Sequence, residues 1–392
     1  MTAEKSKFTY MKQFIYKSVF KQSIGFLTLF VLFTLSSCGG DGGEDAPVNA
    51  AITIEDQYIL VGESVLFKNN TIATDETVIW DFGDGTILTQ SNPSHNYSTL
   101  GNYVVTLKVV NKSNNTEKSR DTKTVVVSLS DDISGRITLK EKLSTLNGKI
   151  MVCAHRATEV GYPENALSAI QNAINLGIEI VEIDIRETKD GALVLMHDAI
   201  ITRTASGSGN VSSYTLQEIK QFNLKKADGS LTTEKIPTLK EVFDLARGKI
   251  YINLDLDEKA PFAKVYPIAK QYGMLKQVMF YTKDNTAIRS MLTTNANLLV
   301  LPYIDNETEF NSFSNVSLSI VHYSDTSFNP TLVKKASDKS ISVYANMYVN
   351  TSTTPQSDGN FLIDKFITLK GSVAQTDHPE YIKTYLKGKN LN

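Results

Sequence analysis

Hydrophobic positions follow three different rhythms along this chain. Near the start, Ile24 to Leu35 form a largely apolar run of 12 residues. From Ala51 to Val127 the apolar residues come in short segments separated by Asn, Asp, Gly and Ser. Tyr58–Leu66, Thr77–Phe82, Asn102–Val110 and Lys123–Val127 are rich in Val, Ile, Thr and aromatics, and each predicts a strand. In the third of these, Tyr103, Val105, Leu107 and Val109 interleave with Val104, Thr106, Lys108 and Val110, the period of a half-buried strand. Short strands at this spacing predict a β-sandwich. From Lys149 onward, apolar runs of strand length alternate with helical spacing. Lys149–Ala154, Ile178–Arg186, Ala192–Met196 and Ile250–Leu256 predict strands, followed by others near Val278–Tyr281, Leu298–Pro302, Leu318–His322, Ile341–Ala345 and Val373–Thr376. Leu167, Ile170, Ala173 and Ile174 keep helical spacing, and Gly177 supplies a stop. Repeated β-α units over residues 149–392 predict an α/β fold, a (β/α)8 TIM barrel. Residues 129–148 read as a connection, with loop at Asp131–Gly135 and a short helix over Thr138–Leu146.

Charge changes the picture of the first segment. Five lysines and one glutamate precede the apolar run, which spans about 18 Å, too short for a bilayer core of roughly 30 Å. A basic segment, a short apolar run and small residues predict a secretory signal peptide over residues 1–37, with either Met1 or Met11 as its start. The segment Leu35-Ser36-Ser37-Cys38 resembles a bacterial lipobox, which implies cleavage before Cys38 and a lipid on its sulfur. The rival reading is an ordinary signal peptide with a fortuitous cysteine. Residues 38–46 are acidic and glycine-rich, as a solvated tether is. Such a stretch after the lipidated cysteine is similar to a surface-export signal of Gram-negative lipoproteins, which places the chain on the outer membrane or cell surface.

The 392 residues carry a formal charge of −2. Without the leader, 35 bases and 41 acids remain, a charge of −6, which disfavours an electrostatic nucleic-acid binder. Two cysteines build neither a disulfide framework nor a thiolate zinc site.

The polar residues of the predicted barrel carry the candidate chemistry. Glu182 and Asp184 lie two apart in one strand and share a face, as do Asn253, Asp255 and Asp257 in another. Carboxylates aimed into a barrel need a cation, and oxygen ligands suit Mg²⁺ or Ca²⁺. His155 and His197 end two separate strands and can exchange protons near neutral pH. Arg156 is a fork suited to phosphate oxygens. The set reads as metal-assisted phosphoester chemistry. Cys153 reads as a buried, inert thiol, and His378 and Asp190 as structural. His322 faces either the substrate pocket or the core.

Two resemblances sharpen this. Trp80-Asp81-Phe82-Gly83-Asp84-Gly85-Thr86, Pro93-Ser94-His95-Asn96-Tyr97 and Gly101-Asn102-Tyr103 resemble the PKD domain, an immunoglobulin-like sandwich, over residues 47–128. It implies a spacer or an adhesion module contacting glycan or protein, with Trp80 in the core, His95 in packing, and positive φ at Gly83 and Gly85. His155-Arg156, Pro163-Glu164-Asn165, Glu182-Ile183-Asp184, Asp190-Gly191, His197-Asp198, Arg203-Thr204, Ile236-Pro237-Thr238-Leu239, Asn253-Leu254-Asp255 and Gln375-Thr376-Asp377 resemble the glycerophosphodiester phosphodiesterase family in order. The resemblance implies one divalent cation on Glu182, Asp184 and Asp255, with Glu164 as a further ligand or a partner of Arg156. It makes His155 and His197 the acid/base pair and Arg156 the phosphate binder. It puts Tyr344 and Asn346 near the substrate pocket. The implied reaction is hydrolysis of a glycerophosphodiester to sn-glycerol 3-phosphate and an alcohol. Alternatives are phospholipase D-type or cyclising action on intact lipid, and a non-catalytic binding or adhesion lipoprotein. The chain departs from the family pattern at Ala157 (usually Gly, a small change if φ is negative), Asp255 (usually Glu) and Asp257 (usually Lys). Lys259 is a candidate substitute for that lysine.

Overall fold

A computed structural model describes residues 49–54, 57–69, 73–131, 137–325, 327–347 and 355–392. The leader, Cys38 and the tether lie outside the described residues. No described helix is long and apolar enough to cross a membrane.

The first layer pair is a sandwich of eight strands: β1 (Ile52–Ile54), β2 (Tyr58–Leu60), β3 (Ser64–Asn69), β4 (Glu76–Asp81), β5 (Ile87–Leu88), β6 (Ser94–Asn96), β7 (Gly101–Asn111) and β8 (Glu117–Ser128). One sheet runs β1-β3-β6 and the other β2-β8-β7-β4-β5. Their inner faces meet on Phe67, Trp80, Phe82, Tyr97, Leu107 and Val125, all fully buried. The expected single strand Tyr58–Leu66 is two strands in different sheets. Gly62, at φ +82°, turns the chain between them in a backbone region that side chains disfavour. Gly83 and Gly85 also take positive φ, in the β4–β5 turn. His95 packs against Phe82 and Tyr97 and pairs with Asp84, a structural role.

The barrel closes on eight parallel strands. In order around the ring they are β9 (Met151–Ala154), β10 (Ile180–Glu187), β14 (Tyr251–Asp255), β15 (Val278–Thr282), β16 (Val300–Ile304), β17 (Ile320–Tyr323), β18 (Ser342–Asn346) and β19 (Val373–Thr376). β11 (Leu193–Leu195) is not a barrel strand; it folds back antiparallel on β10. β12 (Asn223–Lys225) and β13 (Leu231–Lys235) form a separate hairpin. The helices on the outside of the barrel include α2 (Leu167–Asn175), α4 (Leu239–Ala246), α5 (Phe262–Gln271) and α10 (Pro379–Gly388). Thr238 caps α4 with a reciprocal Glu241 bond, which accounts for the Pro-Thr-Leu segment.

Alternation along the strands sorts the barrel interior. Met151, Ile180, Tyr251, Met279, Leu299, Ile320 and Val373 form an apolar layer near the strands' N-terminal ends. Helix α1 (Leu139–Ser144), in the connecting stretch, closes that end by burying Leu139 and Leu143 in the same cluster. Tyr251 donates its hydroxyl to the Ile137 carbonyl, fixing the plug. The sandwich docks at this same end. The Leu129 amide donates to the Gln271 carbonyl, and the Gln271 side chain donates to Asn102 Oδ1 and the Val127 carbonyl. A side chain at Gly273 would lie 2.2 Å from the Ser130 carbonyl oxygen, so the close approach requires glycine there.

Candidate active site

The opposite end of the barrel holds a cavity of about 440 Å³, lined by His155, Arg156, Glu182, His197, Asp255, Lys259, His322 and Asn346 among others. Most come from the C-terminal part of a barrel strand or the loop beyond it, the face on which such barrels carry chemistry; Glu182 lies within β10, and His197 follows β11.

Strands β10 and β14 pair in register, Glu182 beside Asn253 and Asp184 beside Asp255. Glu182, Asp184 and Asp255 each offer an oxygen, and the three lie within 4.8 Å of one another. Burial, then the like charges of Asp184 and Asp255, push the Glu182 carboxyl well above its ordinary value. Burial also raises Asp255. At Asp184 burial is outweighed, chiefly by Lys259, and the carboxyl falls below the usual range. Lys259 Nζ lies 2.6 Å from Asp255 Oδ2 and 3.2 Å from Asp184 Oδ1. One lysine does not neutralise three buried acids, so the trio is a possible site for a divalent cation.

Asp257 lies beyond the strand's end, although it lines the same cavity as Asn253 and Asp255. The strand ends at Asp255, whose Oδ1 accepts from the Asp257 amide and turns the chain. The Asp257 carboxylate accepts from the Lys283 amide and pairs with its ammonium at 3.5 Å.

Both histidines are oriented by carboxylates. His155 Nδ1 lies 2.7 Å from Asp377 Oδ1, and His197 Nδ1 lies 2.7 Å from Asp198 Oδ1. Each bond fixes the orientation of its ring and stabilises it when charged. Burial would raise Asp377, but the His155 bond and charge hold it below its ordinary range. The Arg203 hydrogen bond is the main cause that holds Asp198 far below its own. Arg186 donates twice to the His197 carbonyl, at 2.9 and 2.6 Å.

Arg156 sits in the left-handed region (φ 51°), and its amide donates to Glu182 Oε2 at 2.8 Å. Its buried Nε has no hydrogen-bond partner and lies 3.9 Å from Asp184 Oδ2. Glu164 lies outside the acidic trio. It accepts from Arg156 Nη1 at 3.3 and 3.4 Å and from Arg203 at 2.7 and 2.8 Å. Asn165, also at positive φ, donates to Asp184 Oδ2 and accepts from the Asp184 amide. Asp198, Asp377, Arg203 and Asn165 all stood in motifs of the sequence, but their supporting roles come only from contacts between distant segments.

Ala157 also takes a positive φ, 53°, so the small-change condition at this position is not met. Left-handed strain of about 1–2 kcal/mol is offset by a buried methyl of about 0.8 kcal/mol and a stiffer unfolded chain of about 0.4–1 kcal/mol. Alanine is therefore tolerated where glycine is usual. His322 and Asn346 line the cavity, whereas Tyr344 lies fully buried beneath it, its hydroxyl bonded to Gln375 and Cys153. Burial keeps the Cys153 thiol well above its ordinary value, as an inert group requires.

Residues 155–301 match the glycerophosphoryl diester phosphodiesterase family, and residues 44–127 match the PKD domain. Residues 155–301 thus carry a glycerophosphoryl diester phosphodiesterase family domain, which follows a PKD domain match in the sequence. The barrel continues through β19, beyond the matched residues. A glycerophosphodiester phosphodiesterase of Caldanaerobacter subterraneus is 33% identical over 150 residues, covering 36% of this chain and 62% of that protein. Glycerophosphodiester phosphodiesterase 1 of Mus musculus is 36% identical over 119 residues, covering 29% and 36%. The chain thus spans less than two thirds of these relatives' lengths. The phosphodiesterase fold recurs in a glycerophosphoryl diester phosphodiesterase of Parabacteroides distasonis (TM-score 0.59, 22% identity, 65% of this chain and 93% of that one). It recurs in an Oleispira antarctica phosphodiesterase solved with sn-glycerol-3-phosphate (TM-score 0.52, 21% identity, 62% and 98%).

Proposed function

We propose that this chain hydrolyses glycerophosphodiesters to sn-glycerol 3-phosphate and an alcohol. The observation that carries the reading is a pair of histidine–carboxylate couples, His155–Asp377 and His197–Asp198, on one cavity with a buried acidic trio. Arg156 binds a phosphate oxygen through its guanidinium, while Glu164 keeps that group in place. One histidine takes the proton of the attacking water, or of a glycerol hydroxyl whose cyclic phosphate water then opens; the other gives a proton to the departing alcohol oxygen. Asp198 and Asp377 hold the rings and stabilise each as it charges. Glu182, Asp184 and Asp255 would hold a divalent cation, Mg²⁺ or Ca²⁺, which when bound neutralises phosphate charge. Lys259 reaches the same acids and takes the place of the family lysine lost at Asp257.

The proposal includes export, a lipid anchor on Cys38 at the outer membrane or cell surface, and a PKD domain acting as spacer or as contact with glycan or protein. Metabolic labelling with a fatty acid analogue should mark the full chain and leave Cys38→Ser unlabelled.

The decisive assay follows glycerol 3-phosphate release from a panel of glycerophosphodiesters, with and without chelator. His155→Ala and His197→Ala should each lose at least about 10²-fold. A cyclic phosphate as final product from intact lipid would replace the hydrolase by the cyclising reading. Folded protein with no metal-dependent turnover would replace it by a binding role.

A further inference from the structure

His322 lines the cavity but has no task in that mechanism, and its surroundings are unusual. It is 4% exposed, and neither ring nitrogen makes a well-formed hydrogen bond. Burial, opposed by a marginal hydrogen-bonding contact with the Asn346 side chain and aided by the charge of Lys283, pushes its pKa down to about 3, so the ring is neutral. A neutral imidazole carries one donor and one acceptor. Neither is well satisfied here, and His322 lines the cavity. The cost of leaving them unmade is relieved by a ligand group that both accepts and donates, and a hydroxyl is the simplest.

The neighbours narrow the ligand further. The His322 ring packs against Tyr281, Tyr303 and Tyr344 at centroid distances of 5.3, 5.1 and 4.8 Å. Three tyrosines could suggest a cage for a quaternary ammonium. Lys283 argues against it, because its ammonium lies 5.5 Å over the Tyr303 ring and occupies that face. A trimethylammonium group also neither donates to nor accepts from the imidazole in a conventional hydrogen bond. Asn346 lies beside His322 and carries a carboxamide already fixed by Gln375 at 3.1 Å. In the ring of eight strands, β17 stands four places from β10 in either direction. The His322 wall therefore faces the carboxylate wall across the barrel axis, within reach of the part of a diester that extends away from the acids.

We propose that His322, with Asn346 and Lys283, forms a hydroxyl-reading subsite that selects diesters whose leaving alcohol is a neutral polyol over those whose leaving alcohol carries a quaternary ammonium. This rests on the hydrolase reading and names the substrate class for the same site.

The test compares kcat/KM for glycerophosphoglycerol and glycerophosphoinositol with that for glycerophosphocholine, using the full chain loaded with divalent cation. The wild type should favour the polyol esters by about 10-fold or more, the scale of one well-made hydrogen bond to a buried partner. His322→Phe should collapse that ratio towards one. His322→Gln, which keeps a donor and an acceptor, should restore part of it. Equal or better turnover of the choline ester by the wild type overturns the proposal, whether or not the variants fold. So does a His322→Phe variant that slows all three esters alike, since the residue would then read the shared glycerol or only support the fold. Failure to cleave any of the three overturns the hydrolase reading and this one with it; cleavage without discrimination overturns this one alone.

Discussion

Glu164 is held by both terminal nitrogens of Arg203, at 2.7 and 2.8 Å, while Arg203 Nε reaches Asp198 at 2.6 Å. One guanidinium thus links the partner of Arg156 to the partner of His197. The Arg203→Met variant should lower kcat/KM by about 10–100-fold, the range for groups that orient catalytic residues. Arg203→Lys should recover little, because an ammonium does not reproduce the fork. Steady-state kinetics on both variants, with circular dichroism to confirm folding, provides the check; full recovery by lysine would mean that charge alone matters.

The carboxyls of Asp198 and Asp377 titrate below their ordinary values in the folded protein. An acid depressed by folding stabilises the native state above its unfolded pKa, and that contribution disappears as pH falls through the folded value. The wild type should therefore exceed Asp198→Asn in Tm at pH 6. The gap should narrow as pH drops below about 4, the ordinary carboxylate range. A gap that does not change between pH 6 and pH 3 would remove Asp198 from the acid-sensitive set.

The acidic trio should trade stability against function. Glu182→Gln removes a buried like charge, so the cation-free variant should melt higher than the cation-free wild type. Millimolar Mg²⁺ or Ca²⁺ should raise the wild-type Tm and leave that of Glu182→Gln nearly unchanged. Differential scanning calorimetry with and without chelator reads both effects. An equal cation response in the two proteins would place the ion elsewhere.

Leu139 is fully buried in the floor of the barrel although it belongs to the connecting stretch. Leu139→Ala should cost about 2–5 kcal/mol of stability by urea denaturation, as for other buried leucines. A loss under about 0.5 kcal/mol would mean that the plug contributes nothing.

At Ala157 the opposing contributions nearly cancel, so Ala157→Gly should change stability by less than about 1 kcal/mol despite the positive φ. A larger gain in urea denaturation would show that the strain is not relieved by its surroundings.

The barrel was legible because its strands are short apolar runs, and because Glu182, Asp184 and Asp255 interrupt them at a spacing of two or at matching ends. What lay beyond a strand's end was not legible. Asp257 continues the sequence alternation of Asn253 and Asp255, yet the Asp255 side chain turns the backbone before the pattern can extend. Tyr344 and Asn346 share a face, but alternation says nothing of depth, and only closure of the ring puts the first under the cavity and the second beside it. Tyr58–Leu66 reads as one β segment because a single glycine contributes little to an average, although its positive φ moves the chain from one sheet to the other. The pairing of His155 with Asp377 spans 222 positions, a separation that local patterning does not encode.

The sandwich joins the barrel through Gln271 and the close approach at Gly273, on the end that α1 closes. The candidate cavity opens at the other end. Were the chain held from its sandwich side, as proposed, it would be held by its back. Its mouth would then face whatever diffuses in. Small, water-borne diesters reach such a mouth without obstruction, whereas a lipid embedded in the supporting surface would have to leave it first.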